Sequence, residues 1–581
     1  MNVTVEEVQA WIDQDPDRST RAELTELLAT ATAAPGRTGP DAEAGSRAVA
    51  ELDDRFSGPL EFGTAGLRGA LGGGPRRMNR VVVIRAAAGL SAFLHERVGA
   101  GFVVVIGYDA RYGSHRFAED TAAVVTGAGG RALLLPAALP TPVLAFAVRH
   151  LGADAGVMVT ASHNPPQDNG YKVYLGGRVV TDAGQGAQIV PPYDREIADR
   201  IAAVGPVPDV PRPESGWEVL GDEVRGAYLQ RVAGLAPAGH AHDLRIVVTP
   251  LHGVGGAMVA EALARAGFTD VHLVPEQADP DPDFPTVEFP NPEEPGALDL
   301  SVALAQRVRA DIIVANDPDT DRCSIAVPDS RGRWRQLTGD EVGALLGQQA
   351  ATVAAFRGQG VLASSIVSSR LLAHIAAAHG LQHRTTLTGF KWISRVEGLV
   401  FGYEEALGYC VDPGAVRDKD GISAAVRIAM LAARQRTQGA SLLDALDQLA
   451  VEHGLHATAP LSVRVEDLSL IAEAMTRLRE QPPATLAGSP VVQTTDLAEG
   501  SADLPSTDGL LYLTAEGDRV IVRPSGTEPK LKCYLEVVVP VGGRDQFAAP
   551  EDTTAATAAA REIAEERLSR LRADVTAAVG L

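Results

Sequence analysis

The sequence predicts an α/β protein of several domains. At 581 residues the chain is far longer than one hydrophobic core usually supports, so about three to five domains are expected. The composition, 45% hydrophobic and 22% charged, is typical of a globular protein. Continuous apolar runs that suit buried strands alternate with helical patterns, for example at residues 102–106, 155–159, 244–250 and 310–315.

The elements follow in order along the chain. Apolar residues at helical spacing predict packing helices near the start, with Thr20 and Glu23 placed as a capping box for the second. A first α/β unit comes next and ends at a proline-rich linker, residues 205–215. Two more α/β units follow it. The last region differs, because its patterns predict antiparallel strands and a closing helix. We place the domain boundaries at 1–212, 213–335, 336–457 and 458–581.

Charge and cysteine content exclude several classes of function. Fifty-two basic against 74 acidic residues give a net charge of -22, which repels nucleic acid and anionic membranes. Neither is therefore expected as a partner. Three widely spaced cysteines support no disulfide framework or thiolate metal site, and they fit a reducing, cytoplasmic location. The start lacks a signal-peptide pattern, and three prolines interrupt the longest uncharged stretch, residues 132–148, which argues against a membrane helix.

A serine follows one of the predicted strands. The motif TASHNPPQDNGYK begins at Thr160, directly after the apolar run 155–159, and open α/β sheets bind ligands at the carboxyl ends of their strands. Ser162 is therefore a candidate for chemistry, although such residues also build ordinary turns. Arg68 stands among glycines that let backbone amides approach an anion, and it is a candidate phosphate ligand or a solvated turn residue.

Three aspartates follow another predicted strand, in the motif NDPDTDR. If the segment is extended, Asp317, Asp319 and Asp321 share one face, and three carboxylates so arranged suit a hard cation such as Mg²⁺. An EF-hand loop needs glycine and glutamate where this chain has Arg322 and Pro328, so calcium is disfavoured. The alternative, an acidic surface turn, would leave like charges close together without a cation.

Two later motifs contain candidate ligand-binding groups. Glu404 and Glu405 could accept sugar hydroxyls or could begin a solvated helix. The turn RPSGTEP, which starts at Arg523 between two predicted strands, combines an arginine, hydroxyls and glycine backbone, as a phosphate-binding loop requires. A nucleotide-dependent kinase is disfavoured, since no G-x-x-x-x-G-K-[ST] segment occurs.

Together these four motifs, in this order, resemble the α-D-phosphohexomutase family, and most closely its phosphoglucomutase/phosphopentomutase branch. The resemblance implies three similar α/β domains with mixed sheets and a smaller α+β fourth domain around a central cleft. It implies a phosphoserine at Ser162, Mg²⁺ on Ser162, Asp317, Asp319 and Asp321, and a sugar loop at Glu404 and Glu405. The remaining family positions are Arg68, His163, Lys172, Arg322 and Lys391, and the phosphate loop Arg523, Ser525, Gly526 and Thr527.

The implied activity is transfer of a phosphoryl group between the 1- and 6-positions of glucose or mannose phosphate, with a sugar 1,6-bisphosphate as intermediate and activator. Lys172, His163 and Lys391 are candidates for the general base. A phosphopentomutase, a sugar-bisphosphate synthase and a non-catalytic sugar-phosphate sensor are alternatives. Ala406 stands where many phosphoglucomutases have serine, which leaves the sugar open. A small-molecule sugar phosphate is the expected partner, and a monomer or dimer the expected assembly.

Overall fold

The computed structural model of the chain describes residues 2–33, 38–61, 66–236, 242–465, 467–501, 504–525, 530–542 and 550–580. These residues form two compact units. The first contains Met1–Ala236, Arg245–Cys323 and Asp412–Val426, and the second is built mainly from Ser324–Val411 and Arg427–Leu581. Among the helices described, none is both long and apolar enough to cross a membrane.

Three helices precede the first sheet: α1 (Val5–Gln14), α2 (Arg18–Ala33) and α3 (Pro40–Arg55). They pack around Trp11, Leu24 and Leu52. The capping box lies on α1, where Thr4 and Glu7 cap each other, and not on α2 as the sequence predicts. Helix α2 already begins at Arg18, so the hydroxyl of Thr20 lies within its first turn and donates to Asp15 instead.

The first sheet is mixed. Its strands are β1 (Leu67–Ala70), β2 (Val103–Tyr108), β3 (Arg131–Leu134), β4 (Ala155–Val159), β5 (Asp168–Leu175), β6 (Ala187–Gln188) and β7 (Glu218–Val219), in the order β1-β5-β4-β2-β3-β7 with β6 beside β5. Strand β2 pairs in parallel with β3 and β4, whereas β5 is antiparallel to β4 and β1. The associated helices are α4 (Arg80–Val98), α5 (Ser114–Gly127), α6 (Thr141–His150) and α7 (Tyr193–Ala202). The predicted strand at residues 155–159 is confirmed.

A second group of parallel strands completes the sheets of the first unit. Strand β8 (Arg245–Thr249) lies between β9 (Asp270–Leu273) and β10 (Ile312–Ala315), and all three are parallel. Helices α8 (Glu223–Ala233), α9 (Gly256–Arg265) and α10 (Asp299–Val308) accompany them. Both β4 and β10 are buried along their whole length, which explains their continuous apolar sequences.

The second unit begins with an antiparallel pair, β11 (Ser324–Pro328) and β12 (Trp334–Gln336). Its next sheet has the order β14-β13-β15-β16, with β13 (Val361–Ser365) parallel to β14 (Gln382–Thr386) and β15 (Leu399–Glu404), and β16 (Gly408–Cys410) antiparallel to β15. Around it lie α11 (Gly339–Arg357), α12 (Leu371–Ala378), α13 (Phe390–Ile393), α14 (Gly421–Thr437) and α15 (Leu442–His453). Only the first six residues of α14, 421–426, belong to the first unit.

The last sheet is antiparallel, as predicted, with the order β17-β22-β21-β20-β19-β18. Its strands are β17 (Leu455–Arg464), β18 (Thr485–Leu486), β19 (Ser489–Asp496), β20 (Leu510–Thr514), β21 (Arg519–Pro524) and β22 (Lys530–Val539). Helices α16 (Leu468–Glu480) and α17 (Pro550–Val579) contribute to its core, which includes Tyr512, Leu535 and Leu571.

The segment Asp412–Val426 belongs to the first unit although it follows β16 of the second. Buried hydroxyls fix it there. Tyr174 donates to Asp418 over 2.6 Å, and Tyr228 donates to Asp420 over 2.7 Å. The backbone amide of Gly421 also donates to the carbonyl of Thr320. This return segment therefore supplies buried acceptors that the earlier part of the first unit needs.

Candidate active site

Ser162 lies in the loop that joins β4 to β5, and it is 3% exposed. Its φ of 53° places it in the left-handed region, which is uncommon for a residue with a side chain. The backbone amide of Ser162 donates to the Thr160 hydroxyl over 2.9 Å. The Ser162 hydroxyl donates to Asp317 Oδ2 over 2.7 Å, and it lies 3.2 Å from Nδ1 of His163. The serine thus faces the aspartate motif.

The three aspartates follow β10 in a turn rather than in an extended segment. Thr320 has a φ of 61°, which breaks the alternation that the sequence analysis assumes. The carboxylates converge nevertheless, since one oxygen from each of Asp317, Asp319 and Asp321 lies within 4.8 Å of the others. All three are at most 1% exposed. The turn therefore delivers what the extended geometry predicted, by a different backbone path.

Two lysines approach these carboxylates. Lys172, on β5, donates to Asp319 over 2.8 Å and to Asp321 over 2.9 Å. Lys419, from the return segment, lies 3.2 Å from Asp321. Burial alone would lower the pKa of Lys172, but Asp319 and Asp321 outweigh it and raise that pKa above its ordinary value. Lys172 is accordingly charged in this arrangement.

The donor set fits a hard divalent cation. Among the described residues, Asp319 Oδ1 and Asp321 Oδ1 are buried carboxylate oxygens without a hydrogen-bond donor. Buried acceptors of this kind are normally paired, and a coordinated cation would pair them. Burial and the charges of Asp319 and Asp321 raise the pKa of Asp317 well above its usual range, and a bound cation would favour its ionised form. The three aspartates could therefore hold a metal.

Arginines and a histidine complete the cluster in the first unit. Arg68, on β1, donates to Asn164 Oδ1 over 3.1 Å. Arg322 Nε lies 3.9 Å from both Asp317 and Asp321, and its backbone amide donates to Asp317. Burial, together with Arg322 and Arg68, lowers the pKa of His163 well below its ordinary value. His163 is therefore neutral beside the Ser162 hydroxyl.

The paired glutamates of the second unit have different surroundings. Glu405 accepts hydrogen bonds from the hydroxyls of Ser365 and Ser368, each over 3.1 Å, and its amide donates to Ser368. Burial and the neighbouring Glu404 raise the pKa of Glu405 to about 7. Glu404 is the last residue of β15, and only 9% of its surface is exposed. The Glu405 carboxylate therefore binds the loop that carries Ser365 and Ser368.

The loop that carries these serines is fixed by charged residues of the last sheet. Arg519 donates to the carbonyls of Ile366 and Ser368 over 2.9 and 2.6 Å. Glu536 accepts from the Arg370 side chain over 2.7 Å and from Ser369 over 2.8 Å. It also lies 3.1 Å from Arg519 and 3.1 Å from His456. We call these residues, with Glu536 at the centre, the Glu536 network.

The other predicted residues of the second unit lie on two elements. Lys391 is buried on α13, with its Nζ 5.8 Å from the ring centre of Trp392. Arg523 lies near the end of β21, and Ser525 follows it with a backbone bond to Lys530. Gly526 and Thr527 lie outside the described residues.

Within the first unit, the structure brings together eight of the residues that the sequence analysis names. They are Arg68, Ser162, His163, Lys172, Asp317, Asp319, Asp321 and Arg322. Sequence reasoning missed Arg111, Lys419, Ser365, Ser368 and the Glu536 network. Of these, Lys419 carries a weak signal, because its Asp-Lys-Asp-Gly setting is a polar turn. The others carry none that their local sequence reveals.

The chain is similar to known proteins over most of its length. Family models described as phosphoglucomutase/phosphomannomutase match it as α/β/α domains I, II and III at residues 59–205, 227–332 and 338–450, and as the C-terminal domain at 462–542. A probable phosphomannomutase of Haemophilus influenzae is 49% identical over 465 residues, which is 79% of this chain and 93% of that protein.

More distant relatives have other names. Human phosphopentomutase is 36% identical over 548 residues, which cover 85% of this chain and 87% of the human protein. A phosphoglucomutase of Staphylococcus aureus is 33% identical over 519 residues, with 84% and 92% covered. The crystal structure of a putative phosphomannomutase from Thermus thermophilus superimposes with a TM-score of 0.64 at 26% identity, covering 87% of this chain and 99% of that one.

Proposed function

The chain belongs to the phosphoglucomutase/phosphomannomutase family and is a phosphosugar mutase, an isomerase, and from this premise we propose that it moves a phosphoryl group between the 1- and 6-positions of a hexose phosphate through Ser162. The observation that carries the proposal is the Ser162 hydroxyl, buried and 2.7 Å from Asp317 in a cluster of three carboxylates. A phosphorylated serine at this position carries close to two negative charges. Lys172, Lys419, Arg68 and Arg322 are cationic side chains of that cluster.

Asp317, Asp319 and Asp321 would hold Mg²⁺ together with the phosphate on Ser162. Bound Mg²⁺ would neutralise part of the phosphate charge and so favour attack by a nucleophile. Lys172 keeps Asp319 and Asp321 in place when it donates to both. The acidic cluster is thus set opposite the reacting serine by hydrogen bonds of the protein itself.

In the first half-reaction a sugar hydroxyl attacks the phosphorus, a base accepts the hydroxyl proton, the bond from phosphorus to Ser162 Oγ breaks, and Ser162 Oγ takes up a proton as it leaves. His163 and Lys391 remain the candidates for that base, whereas Lys172, which is charged while it donates to Asp319 and Asp321, has no free lone pair to accept a proton. The product is a sugar 1,6-bisphosphate. In the second half-reaction its other phosphoryl group returns to Ser162, which regenerates the phosphoserine and leaves the isomeric monophosphate.

Binding of the sugar and of the non-reacting phosphate is assigned to the second unit. Because Glu405 is occupied by Ser365 and Ser368, Glu404 is the carboxylate that would accept sugar hydroxyls. Arg523 and Ser525, with Gly526 and Thr527, would bind the non-reacting phosphate. A guanidinium is suited to this, since its fork of N–H donors matches phosphate oxygens.

Hexose phosphate is the proposed substrate, and pentose phosphate is the alternative. The relative at 49% identity is named a phosphomannomutase, whereas relatives at 36% are named phosphopentomutases. Ala406 lacks the hydroxyl that could contact the sugar. A panel of glucose, mannose and ribose 1-phosphates, compared by kcat/KM, distinguishes the two. A preference for ribose 1-phosphate would overturn the hexose assignment and leave the phosphoserine chemistry intact.

We expect the purified protein to carry one phosphate on Ser162, as measured by intact mass and peptide mapping. Protein treated with a phosphatase should be inactive on a sugar 1-phosphate, because a monophosphate cannot rephosphorylate the serine. Added glucose 1,6-bisphosphate should restore activity. Full activity of the dephosphorylated protein without bisphosphate, or a strict need for ATP, would contradict the mechanism. Phosphate-free protein without activity on any sugar phosphate would instead indicate a binding protein.

Asp319→Asn should weaken Mg²⁺ binding, because it removes one negative charge from a buried set of three ligands. We expect at least a roughly ten-fold loss of affinity, since even the loss of a group that only supports a ligand costs this much. Calorimetric titration with Mg²⁺ measures it without reference to turnover. Asp299→Asn is the matched control, as Asp299 is exposed on α10 and should bind Mg²⁺ as wild type does. Superimposable titrations for Asp319→Asn would contradict the metal assignment.

A further inference from the structure

The side chain of Arg111 makes four hydrogen bonds to the serine loop, which we define as residues 160–168. Its Nη2 donates to the carbonyls of Ser162, over 2.7 Å, and of Asn164. Its Nη1 donates to the carbonyls of Pro165, over 2.8 Å, and of Asp168, over 3.1 Å. Only 1% of the side chain is exposed. Both terminal nitrogens of the guanidinium are therefore used by one loop.

The guanidinium is also fixed from the protein side. Arg111 Nε lies 3.5 Å from Asp109 Oδ2, and the Arg111 amide donates to Asp109 Oδ1 over 3.0 Å. The ring centre of Phe284 lies 5.0 Å from the Arg111 guanidinium carbon. Asp109 is itself held by Ser114, which donates to it over 2.6 Å. The orientation of the four donors is thus set by groups outside the serine loop.

The serine loop needs such support, because its key residue has an unfavourable backbone. A residue other than glycine at φ 53° is strained, and this conformation persists only where the surroundings enforce it. Ser162 contributes one of the four carbonyls that Arg111 binds. The hydroxyl that this conformation presents is the one 2.7 Å from Asp317.

We propose that Arg111 is a positioning residue for the mutase reaction: it holds the serine loop in the conformation that presents Ser162 to the aspartate cluster. This proposal rests on the proposed function of Ser162, but it concerns a residue whose guanidinium donates to backbone carbonyls of the serine loop. A planar fork is required for the role. Lysine has a single ammonium and cannot supply two pairs of N–H groups to four carbonyls.

Arg111→Lys is the first test, because lysine keeps a positive charge beside the buried Asp109 and so preserves folding. We expect kcat to fall by about 10- to 100-fold, the effect of losing charge-assisted hydrogen bonds to the loop that carries Ser162, with KM changed by less than about two-fold. Hydrogen–deuterium exchange of residues 160–168 should become faster, and exchange elsewhere should stay as in wild type. Arg116→Lys, an exposed arginine on α5 paired with Glu119, is the control and should match wild type in every measurement.

Arg111→Ala is the second test, because it leaves space that a free guanidinium ion can enter. Millimolar guanidinium chloride should raise kcat of this variant and slow exchange of the serine loop, whereas ammonium chloride at the same concentration should do neither. Guanidinium should have no such effect on wild type. This rescue separates the geometry of the fork from its charge.

The outcomes distinguish this inference from the proposed function. If wild type converts no sugar phosphate but loop exchange responds to Arg111→Lys and to guanidinium, the mutase proposal is wrong and the support of the loop by Arg111 is right. If Arg111→Lys keeps wild-type kcat, or if exchange speeds up throughout the first unit alike, the positioning role is wrong while the mutase proposal is untouched.

Discussion

Replacing Ser162 by alanine is expected to abolish turnover, with kcat at least about 10³-fold below wild type, because the variant lacks the hydroxyl proposed to carry the phosphoryl group. The thermal unfolding midpoint should stay close to wild type, since the folded state loses only the contacts of one hydroxyl, with Asp317 and with His163. Steady-state kinetics on the purified variant and an unfolding curve measure both quantities.

The matched control is Ser301→Ala. Ser301 is a buried serine of α10 in the same unit, and its hydroxyl has no hydrogen-bond partner in the described part of the chain. This variant should retain wild-type kcat. If Ser162→Ala kept more than a few per cent of wild-type kcat, or if Ser301→Ala lost activity equally, the phosphoserine role of Ser162 would be wrong.

Of the substitutions proposed, Glu536→Ala is expected to lower the free energy of unfolding most. Glu536 is 1% exposed, and Arg519, Arg370 and His456 surround its carboxylate. Removing one partner of a buried ionic network costs about 3–5 kcal/mol, because it leaves the remaining charges desolvated and unpaired. For a unit of this size that loss lowers the unfolding midpoint by roughly 6–20 °C.

Calorimetry measures this shift, and Glu562→Ala, at an exposed site on α17, is the control expected to change stability by at most about 0.5 kcal/mol. Because the Glu536 network holds the loop that binds Glu405, kcat/KM should fall as well at temperatures below unfolding. Equal midpoints for the two variants would show that the buried network contributes nothing to stability.

Glu536 also makes the stability of the fold depend on pH, and the direction of this dependence follows from its pKa. Burial alone would raise the pKa of Glu536, but Arg519, His456 and Arg370 outweigh it and hold that pKa far below its ordinary value. A carboxylate with a lowered pKa stabilises the fold above its unfolded-state pKa, and that stabilisation is lost as the pH falls. The advantage of wild type over Glu536→Gln should therefore shrink between about pH 5 and pH 3.

The strands and the loops that follow them could be predicted from the sequence, because buried parallel strands are continuous apolar runs and ligand loops follow their carboxyl ends. Residues 155–159 match the observed β4 at both ends. The motifs that follow β4 and β10 do lie together. Their spacing is local information, and the pairing of their strands obeys general rules of sheet topology.

The predictions that were wrong, and the site residues that were missed, depend on contacts that the local sequence does not contain. Thr20 and Glu23 have the spacing of a capping box, yet the helix starts earlier, and Glu23 instead pairs with Arg55 of α3. Nothing in the pair Glu404–Glu405 tells which carboxylate binds the serines near Ser365. Arg111 looks like an ordinary turn residue, because its four acceptors are backbone carbonyls more than 50 positions later.

The return of Asp412–Val426 to the first unit has a consequence for how the protein is made. A ribosome that has completed Cys323 must add about 100 further residues, which takes about 5–20 s at 5–20 residues per second, before Asp418 and Asp420 emerge. Until then the hydroxyls of Tyr174 and Tyr228 lack their acceptors, and Asp321 lacks Lys419. The nascent first unit is therefore incomplete, and its reaction centre only partly formed, while much of the second unit is being translated.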